Sequence, residues 1–191
     1  MADIAFEPTG IAEADELVRT DPLALLIGMM LDQQISIELA FTGPYRLRER
    51  LGGLDAALVA SQDPEELAAV FSTKPALHRF PAAMAKRAQA LCQFLVDEYD
   101  GSADLWSDGP TARVLHERIS SLPGFGDEKT MILLAVLAKR FGVRPRGWKA
   151  LAGPFADNEP RSVADMDSEA GRERVRAWKK LQRSEGRTKQ D

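Results

Sequence analysis

Apolar positions recur at helical spacing along most of the 191-residue chain, and no run of alternating β-branched residues interrupts them. The segment LALLIGMML is apolar on every side, which predicts a buried helix, and Asp21 with Pro22 supplies its cap and first turn. Asp63, Pro64, Glu65 and Glu66 open another helix in the same way, with acids at its positive end. From Pro81, the positions Met84, Ala88, Leu91, Leu95 and Tyr99 keep the i, i+4, i+7 rhythm of one core-facing stripe. Val114, Leu115 and Ile119 continue the pattern up to Ser121, the turn LPGFG follows, and Met131 to Leu137 resumes it. The expected architecture is all-α, with a helix, a hairpin and a second helix over about residues 112–140. From Asn158 the chain is more polar. Val175, Trp178 and Leu181 form a thin packing stripe there, and the end SEGRTKQD predicts partial disorder at the tip. The expected organisation is one helical domain over 1–157 and a basic helix and tail over 158–191 that packs on it or extends it.

Composition narrows the class. A hydrophobic content of 45% without an apolar run near ~18 residues excludes a helical membrane span. The start MADIAFEPTGIAEADELV is acidic and lacks the basic region of a secretory signal, so a soluble, cytoplasmic protein is expected, nucleoid-associated if bacterial. Cys92 is the single cysteine and cannot form an internal disulfide. With two histidines, the chain has neither a zinc ligand set nor the four thiolates of an iron–sulfur cluster, so no metal held by side chains and no cofactor is expected. The net charge of −4 taken alone argues against a nucleic-acid partner, but residues 139–191 hold 14 Lys and Arg against 8 Asp and Glu, whereas residues 1–138 hold 11 against 21. That asymmetry suits a phosphate-facing surface on an otherwise acidic protein, or a solvated basic tail.

The stretch SSLPGFGDEKT, residues 120–130, concentrates turn chemistry just ahead of a helix. Gly124 and Gly126 can take positive φ and carry no side chain, so the backbone there can approach a ligand closely. The amides of the turn and of the next helix's first turn then point outward together, which makes a phosphate site without a lysine. A glycine C-cap and tight turn between two packed helices would use the same residues, whereas Pro123, the flanking amphipathic helices and the apolar Leu122 and Phe125 that plug the hairpin into the core favour the phosphate site.

LPGFGDEKTMILLAVLAKRFG resembles the helix-hairpin-helix element of the HhH-GPD superfamily of base-excision DNA glycosylases, the group of endonuclease III and the adenine and alkylpurine glycosylases. DPLALLIGMMLDQQIS resembles the early helix of that superfamily, which ends in a glutamine-containing turn, and AKRAQALCQFL resembles a later helix that begins with a basic residue and alanine. Together these cover about residues 21–145 in the family's order. The resemblance implies two helical lobes with double-stranded DNA between them, a damaged base or abasic nucleotide flipped into the cleft, and a hairpin that holds a phosphate, often with a monovalent or divalent cation on its carbonyls. A monomeric, monofunctional glycosylase without the iron–sulfur cluster is the implied member, and a DNA-binding module of the same fold without chemistry is the alternative.

The chain departs from the family at two positions. Bifunctional members carry a lysine two residues beyond the second hairpin glycine, where this chain has Glu128; Lys129 lies one step further, about 100° around the helix. The family aspartate follows the second helix by a short loop, but the segment here reads FGVRPRGWKALAGPF and its first downstream acid is Asp157. The catalytic candidates are therefore Asp32 first, two residues before Gln34, then Glu38 and Asp157, with Lys129 as a displaced amine. Asp32 either serves a reacting sugar or caps an amide or pairs with Arg87. Gln33 and Gln34 either fill the gap left by a flipped base or satisfy a helix end. His78, Arg79 and Phe80 in KPALHRFP join a titratable ring, a phosphate-capable fork and a stacking ring in one loop, or else comprise a surface histidine and a core phenylalanine. Lys86 and Arg87 contact phosphate or only solvent, and Trp148 stacks on a base or anchors its loop. The DNA-binding candidates are thus Gln33, Gln34, His78, Arg79, Lys86, Arg87, Leu122, Gly124, Gly126, Lys129 and Trp148.

Overall fold

The computed structural model describes residues 4–190, and among them there are ten α-helices and no strand. The helices are α1 (Ala12–Thr20), α2 (Pro22–Leu31), α3 (Ile37–Leu51), α4 (Ala56–Ala60), α5 (Pro64–Ser72), α6 (Pro81–Tyr99), α7 (Ala112–Ser120), α8 (Asp127–Lys139), α9 (Trp148–Ala152) and α10 (Glu169–Ser184). Two 3₁₀ turns, Gly153–Ala156 and Val163–Asp165, link the last two. None of the helices is long and apolar enough to cross a membrane.

The chain forms two compact units. One consists of Ile11–Leu105 together with Leu122–Gly124 of the hairpin. Here the Asp21 carboxylate accepts from the amides of Leu23 and Ala24, and Asp63 does the same for Glu65 and Glu66, as the cap signals require. Every residue of α2 from Leu23 to Leu31 is buried. At about 1.5–3 kcal/mol per large apolar side chain, that burial is what holds the helix. Two glycines set how closely α2 approaches α3. A Cβ on Gly28 would lie 2.8 Å from Cδ1 of Phe41, and one on Gly43 would lie 2.5 Å from Cδ1 of Leu31. The short turn that joins these helices, residues 32–36, is thereby held against a rigid pair. α4 and α5 pack on α6, whose Met84, Ala88, Leu91 and Leu95 are buried as the stripe predicts. Cys92 is buried among them, its thiol pushed up to about 12 by desolvation and by the Asp55 charge, so it is protonated and unreactive.

The other unit contains the described residues through Gly10, Trp106–Ser121, and the chain from Phe125 onward. Its centre is α8, buried from Ile132 to Ala138, against α7, α9 and the 3₁₀ turn Val163–Asp165. Lys139 pairs with Asp165 at 2.7 Å, and Arg140 donates to the Ala164 carbonyl at 2.6 Å. The two ends of the chain meet here: the Phe6 and Phe141 rings stand 5.8 Å apart, and Arg172 donates to the Glu7 carbonyl at 2.8 Å.

Three expectations change in this unit. Val114 is 38% exposed, so Leu115 and Ile119 carry the packing of α7 without it. In α10 the buried stripe is Gly171, Val175 and Gln182, with Leu181 exposed at 52%, because the apolar count there is too low to mark the inner face. The tail through Gln190 folds back on the unit instead of trailing away, since Lys189 has an ion-pair partner in Glu128, at 3.0 Å.

Candidate nucleic-acid interface

In the α1–α6 unit the turn at residues 32–36 separates two adjacent glutamines into different roles. Gln33 is clamped by three elements. Its Nε2 donates to the Met30 carbonyl at 3.0 Å and approaches the Met84 sulfur at 3.4 Å, while its Oε1 accepts from Arg87 at 2.8 Å. Its own carbonyl accepts from Nε2 of His78 at 2.9 Å. Gln34 is exposed, has a left-handed φ of 56°, and makes no hydrogen bond among the described residues. Left-handed backbone costs a non-glycine residue about 1–2 kcal/mol, so the fold gives up stability to hold Gln34 outward on a fixed base.

His78 differs from its expected place in a DNA-contacting loop. It is 2% exposed, and its Nδ1 accepts from the Phe80 amide at 3.0 Å. Nδ1 as acceptor leaves Nε2 as the donor, so the ring is a neutral strut between the loop and Gln33. Phe80, by contrast, is exposed at 45% with the Arg79 guanidinium 4.8 Å from its ring centroid. Arg79, Lys86 and Arg87 are all exposed. The loop therefore offers a stacking ring and cations, and the histidine positions them.

Asp32 caps the end of α2 and is half-buried. Its carboxylate has no hydrogen bond or ion pair among the described residues, because Arg87 is taken by Gln33. Glu38 lies half-buried in the first turn of α3, where its carbonyl accepts from Thr42.

The hairpin tip shares this unit. Gly124 has φ 87°, and a Cβ there would sit 3.4 Å from Cγ of Met30, the residue whose carbonyl holds Gln33. Leu122 is 2% exposed, so its side chain packs inward and only its main chain is available to a ligand. The glutamine turn and the hairpin tip thus rest on the same end of α2.

The α7–α10 unit holds the remaining candidates. Gly126 is the N-cap of α8 at φ −94° and ψ −176°, an extended conformation open to any residue, and a Cβ there would meet nothing within 4 Å. Positive φ is therefore a property of Gly124 and not of Gly126. No N-cap side chain bonds the first turn of α8, and the amides of Asp127 and Glu128 have no hydrogen-bond partner among the described residues. Glu128 accepts from Lys189 at 3.0 Å and from Gln190 at 3.4 Å. Burial pushes its carboxyl up, yet the Lys189 hydrogen bond and charge, Gln190 and the Lys179 charge outweigh that and hold it below the ordinary value of 4.5. Lys129 is half-buried one residue further on. Trp148 is half-buried at the start of α9, its amide donating to the Pro145 carbonyl at 3.0 Å. Asp157 accepts from Arg161 at 2.9 Å and from the Glu159 amide at 2.9 Å, which ties it to its own loop. No group of three or more His, Cys, Asp or Glu among the described residues could hold a metal ion.

A family model described as HhH-GPD superfamily base excision DNA repair protein matches residues 27–190, most of the chain. The chain belongs to the HhH-GPD superfamily. The match begins inside α2 and runs through the tail, so both the glutamine turn and the C-terminal helix lie within the family's extent. As a base excision DNA repair protein of the HhH-GPD superfamily, the chain belongs to a DNA-binding class. No curated protein and no solved structure matches it. Two contributors within this HhH-GPD fold had no signal in the residue pattern: Arg161, whose donors reach Asp157 and the Lys189 carbonyl, and Lys189 itself. Both work across stretches of chain that only folding brings together.

Proposed function

We propose that this HhH-GPD protein is a monofunctional, monomeric DNA glycosylase that flips a damaged base out of the duplex and hydrolyses its N-glycosidic bond. The observation that carries the reading is the 32–36 turn, where a clamped Gln33 presents an unpartnered Gln34 beside the unpaired carboxylate of Asp32. Gln34 enters the gap left by the base, and the amides of Asp127 and Glu128 in the first turn of α8 bind backbone phosphate. As the bond from C1′ to the base nitrogen breaks, positive charge builds on the deoxyribose. Asp32 stabilises that charge or orients the water, whose oxygen bonds to C1′ while the base departs with a proton. The carbonyls of Leu122, Pro123 and Gly124 accept no hydrogen bond among the described residues, and they would hold a cation, whose charge would attract phosphate.

A second reading, a damage-recognition module without chemistry, is favoured by two other observations. Glu128 stands at the family lysine position in an ion pair, and Asp157 is bound by Arg161, so neither is available to a substrate. A panel of duplexes, each with one lesion and assayed for base release before and after hot alkali, separates the two. Release with alkali-dependent strand breaks is the outcome expected of the glycosylase; tight binding to a lesion with no release on any duplex favours the module.

A further inference from the structure

The outer side of α10 carries exposed basic residues, with Glu169 and Glu173 on the same side. Gly171, Val175 and Gln182 are buried and mark the face turned into the α7–α10 unit, and Trp178 lies under the Arg161 guanidinium at 5.3 Å. At 100° per residue, Arg176, Lys180 and Arg183 fall within roughly 60° of one another, well away from that inner face. All three are exposed, and the side chains of Lys180 and Arg183 have no hydrogen bond or ion pair among the described residues. Over residues 169–190 there are eight Lys and Arg against three Glu.

The opposite edge of the helix shows what a matched basic surface looks like here. Arg174 lines a cleft of about 360 Å³ together with Lys139, Arg140 and Arg144. Lys139 is paired with Asp165 at 2.7 Å, and Arg140 and Arg174 share Asp167 at 3.4 Å each. Those three cations share two carboxylates, so most of their charge is offset inside the fold, and Arg144 donates to the Ala138 carbonyl. On the outer face of α10, the side chains of Lys180 and Arg183 have no ion-pair partner among the described residues.

The end of this face is pinned beside the start of α8. Arg187 donates its amide back to the Gln182 carbonyl at 2.9 Å, Arg161 holds the Lys189 carbonyl at 3.1 Å, and Lys189 pairs with Glu128 in the first turn of α8. Lys189 also offsets one of the two acids, Asp127 and Glu128, that would repel a phosphate from the open amides there. We propose that the outer face of α10, through Arg176, Lys180 and Arg183, binds the phosphate backbone of duplex DNA and continues the contact that begins at the first turn of α8. The proposal rests on the DNA-binding part of the reading above. Arg176 to Arg183 spans about 10 Å of helix, close to the rise of three phosphate steps on one strand at ~3.4 Å each. An anionic membrane is a poorer match, since surface helices insert an apolar face and that of α10 is consumed by packing on its own unit.

The test is duplex affinity by fluorescence anisotropy across about 50 to 300 mM salt, on an undamaged duplex and the same duplex with an abasic site. Lys180→Gln/Arg183→Gln should lower the slope of log affinity against log salt by about two, with the same fold-loss on both duplexes, because phosphate contacts carry no base information. Arg113→Gln, which removes a largely exposed charge from α7, should leave the slope unchanged. A wild-type chain that binds neither duplex overturns both this proposal and the DNA-binding reading. A wild type that binds while the double variant keeps its full slope overturns this proposal alone, as does loss of phosphatidylserine-vesicle binding in the variant with the DNA slope intact.

Discussion

Gln33 and Gln34 are chemically identical and adjacent, and their surroundings give them opposite tasks. Every polar atom of the Gln33 side chain is engaged, whereas Gln34 has no partner among the described residues and is held at φ 56°. Glycine would relieve that backbone, so Gln34→Gly should raise stability to denaturant by about 0.5–1 kcal/mol even though it frees the unfolded chain. The same change should weaken binding to an abasic duplex more than to undamaged DNA, since only the former accepts a side chain into its gap. A variant with equal losses on both duplexes would take Gln34 out of the gap-filling role. For Asp32, a carboxylate ~4 Å from a full positive charge at an effective dielectric of ~20 contributes about 4 kcal/mol. Asp32→Asn should therefore slow single-turnover base release by at least ~100-fold and leave lesion-duplex affinity equal or tighter, because a negative charge near phosphates is lost. Release at the wild-type rate would move attention to Glu38, since Asp157 is already committed to Arg161.

At the scale of elements, α8 begins with an uncapped N-terminus, and Gly126 has ordinary extended backbone with open space around it. Serine fits that position and its hydroxyl would accept from the first-turn amides. Gly126→Ser should therefore stabilise the fold by a few tenths of a kcal/mol while reducing affinity for all duplexes alike, because the cap occupies the groups a phosphate would use. Gains in both quantities would show that those amides face no ligand. The tail beside α8 responds to pH through Glu128. Its folded value lies below the ordinary one, so its pair with Lys189 contributes fully above that ordinary value and is lost as pH falls through the folded value. Amide exchange over residues 185–190, taken relative to its intrinsic rate at each pH, should rise in the wild type as pH falls from the ordinary glutamate value of 4.5 through the lower folded value. In Glu128→Gln it should be fast at every pH, and a protected tail in that variant would show that Arg161 alone seats it.

For the whole molecule, the relevant electrostatic quantity is the distribution of charge, since the net value is −4 and the sequence pI about 5.4. Basic groups gather on the loop of Arg79, at Lys86 and Arg87, and on the outer face of α10. An acidic protein with about six phosphate contacts should lose on the order of 10³-fold in duplex affinity between about 50 and 200 mM salt, as a basic one would. A shallow salt dependence, measured by titration at several ionic strengths, would mean that most of these cations stand away from the duplex.

The helical architecture, the caps at Asp21 and Asp63 and the stripe of α6 were legible in the residue order, because each depends on contacts a few positions apart and on the simple sorting of apolar faces. The hairpin and the glutamine turn were legible for the same reason, being short segments with their chemistry in one stretch. Folding alone decided which residue within each segment faces out. His78 became a strut because a carbonyl 45 positions away meets its ring, whereas the inward side chain of Leu122 was already legible as a plug into the core. The absence of positive φ at Gly126 also follows from how α8 starts, which composition does not encode. The ordered tail rests on Glu128 and Arg161, partners 61 and 28 positions distant from Lys189. Local pattern determines where an element forms, but the surroundings of a single polar atom are set by chain segments far away in sequence, and it is those surroundings that separate a clamped glutamine from a presented one.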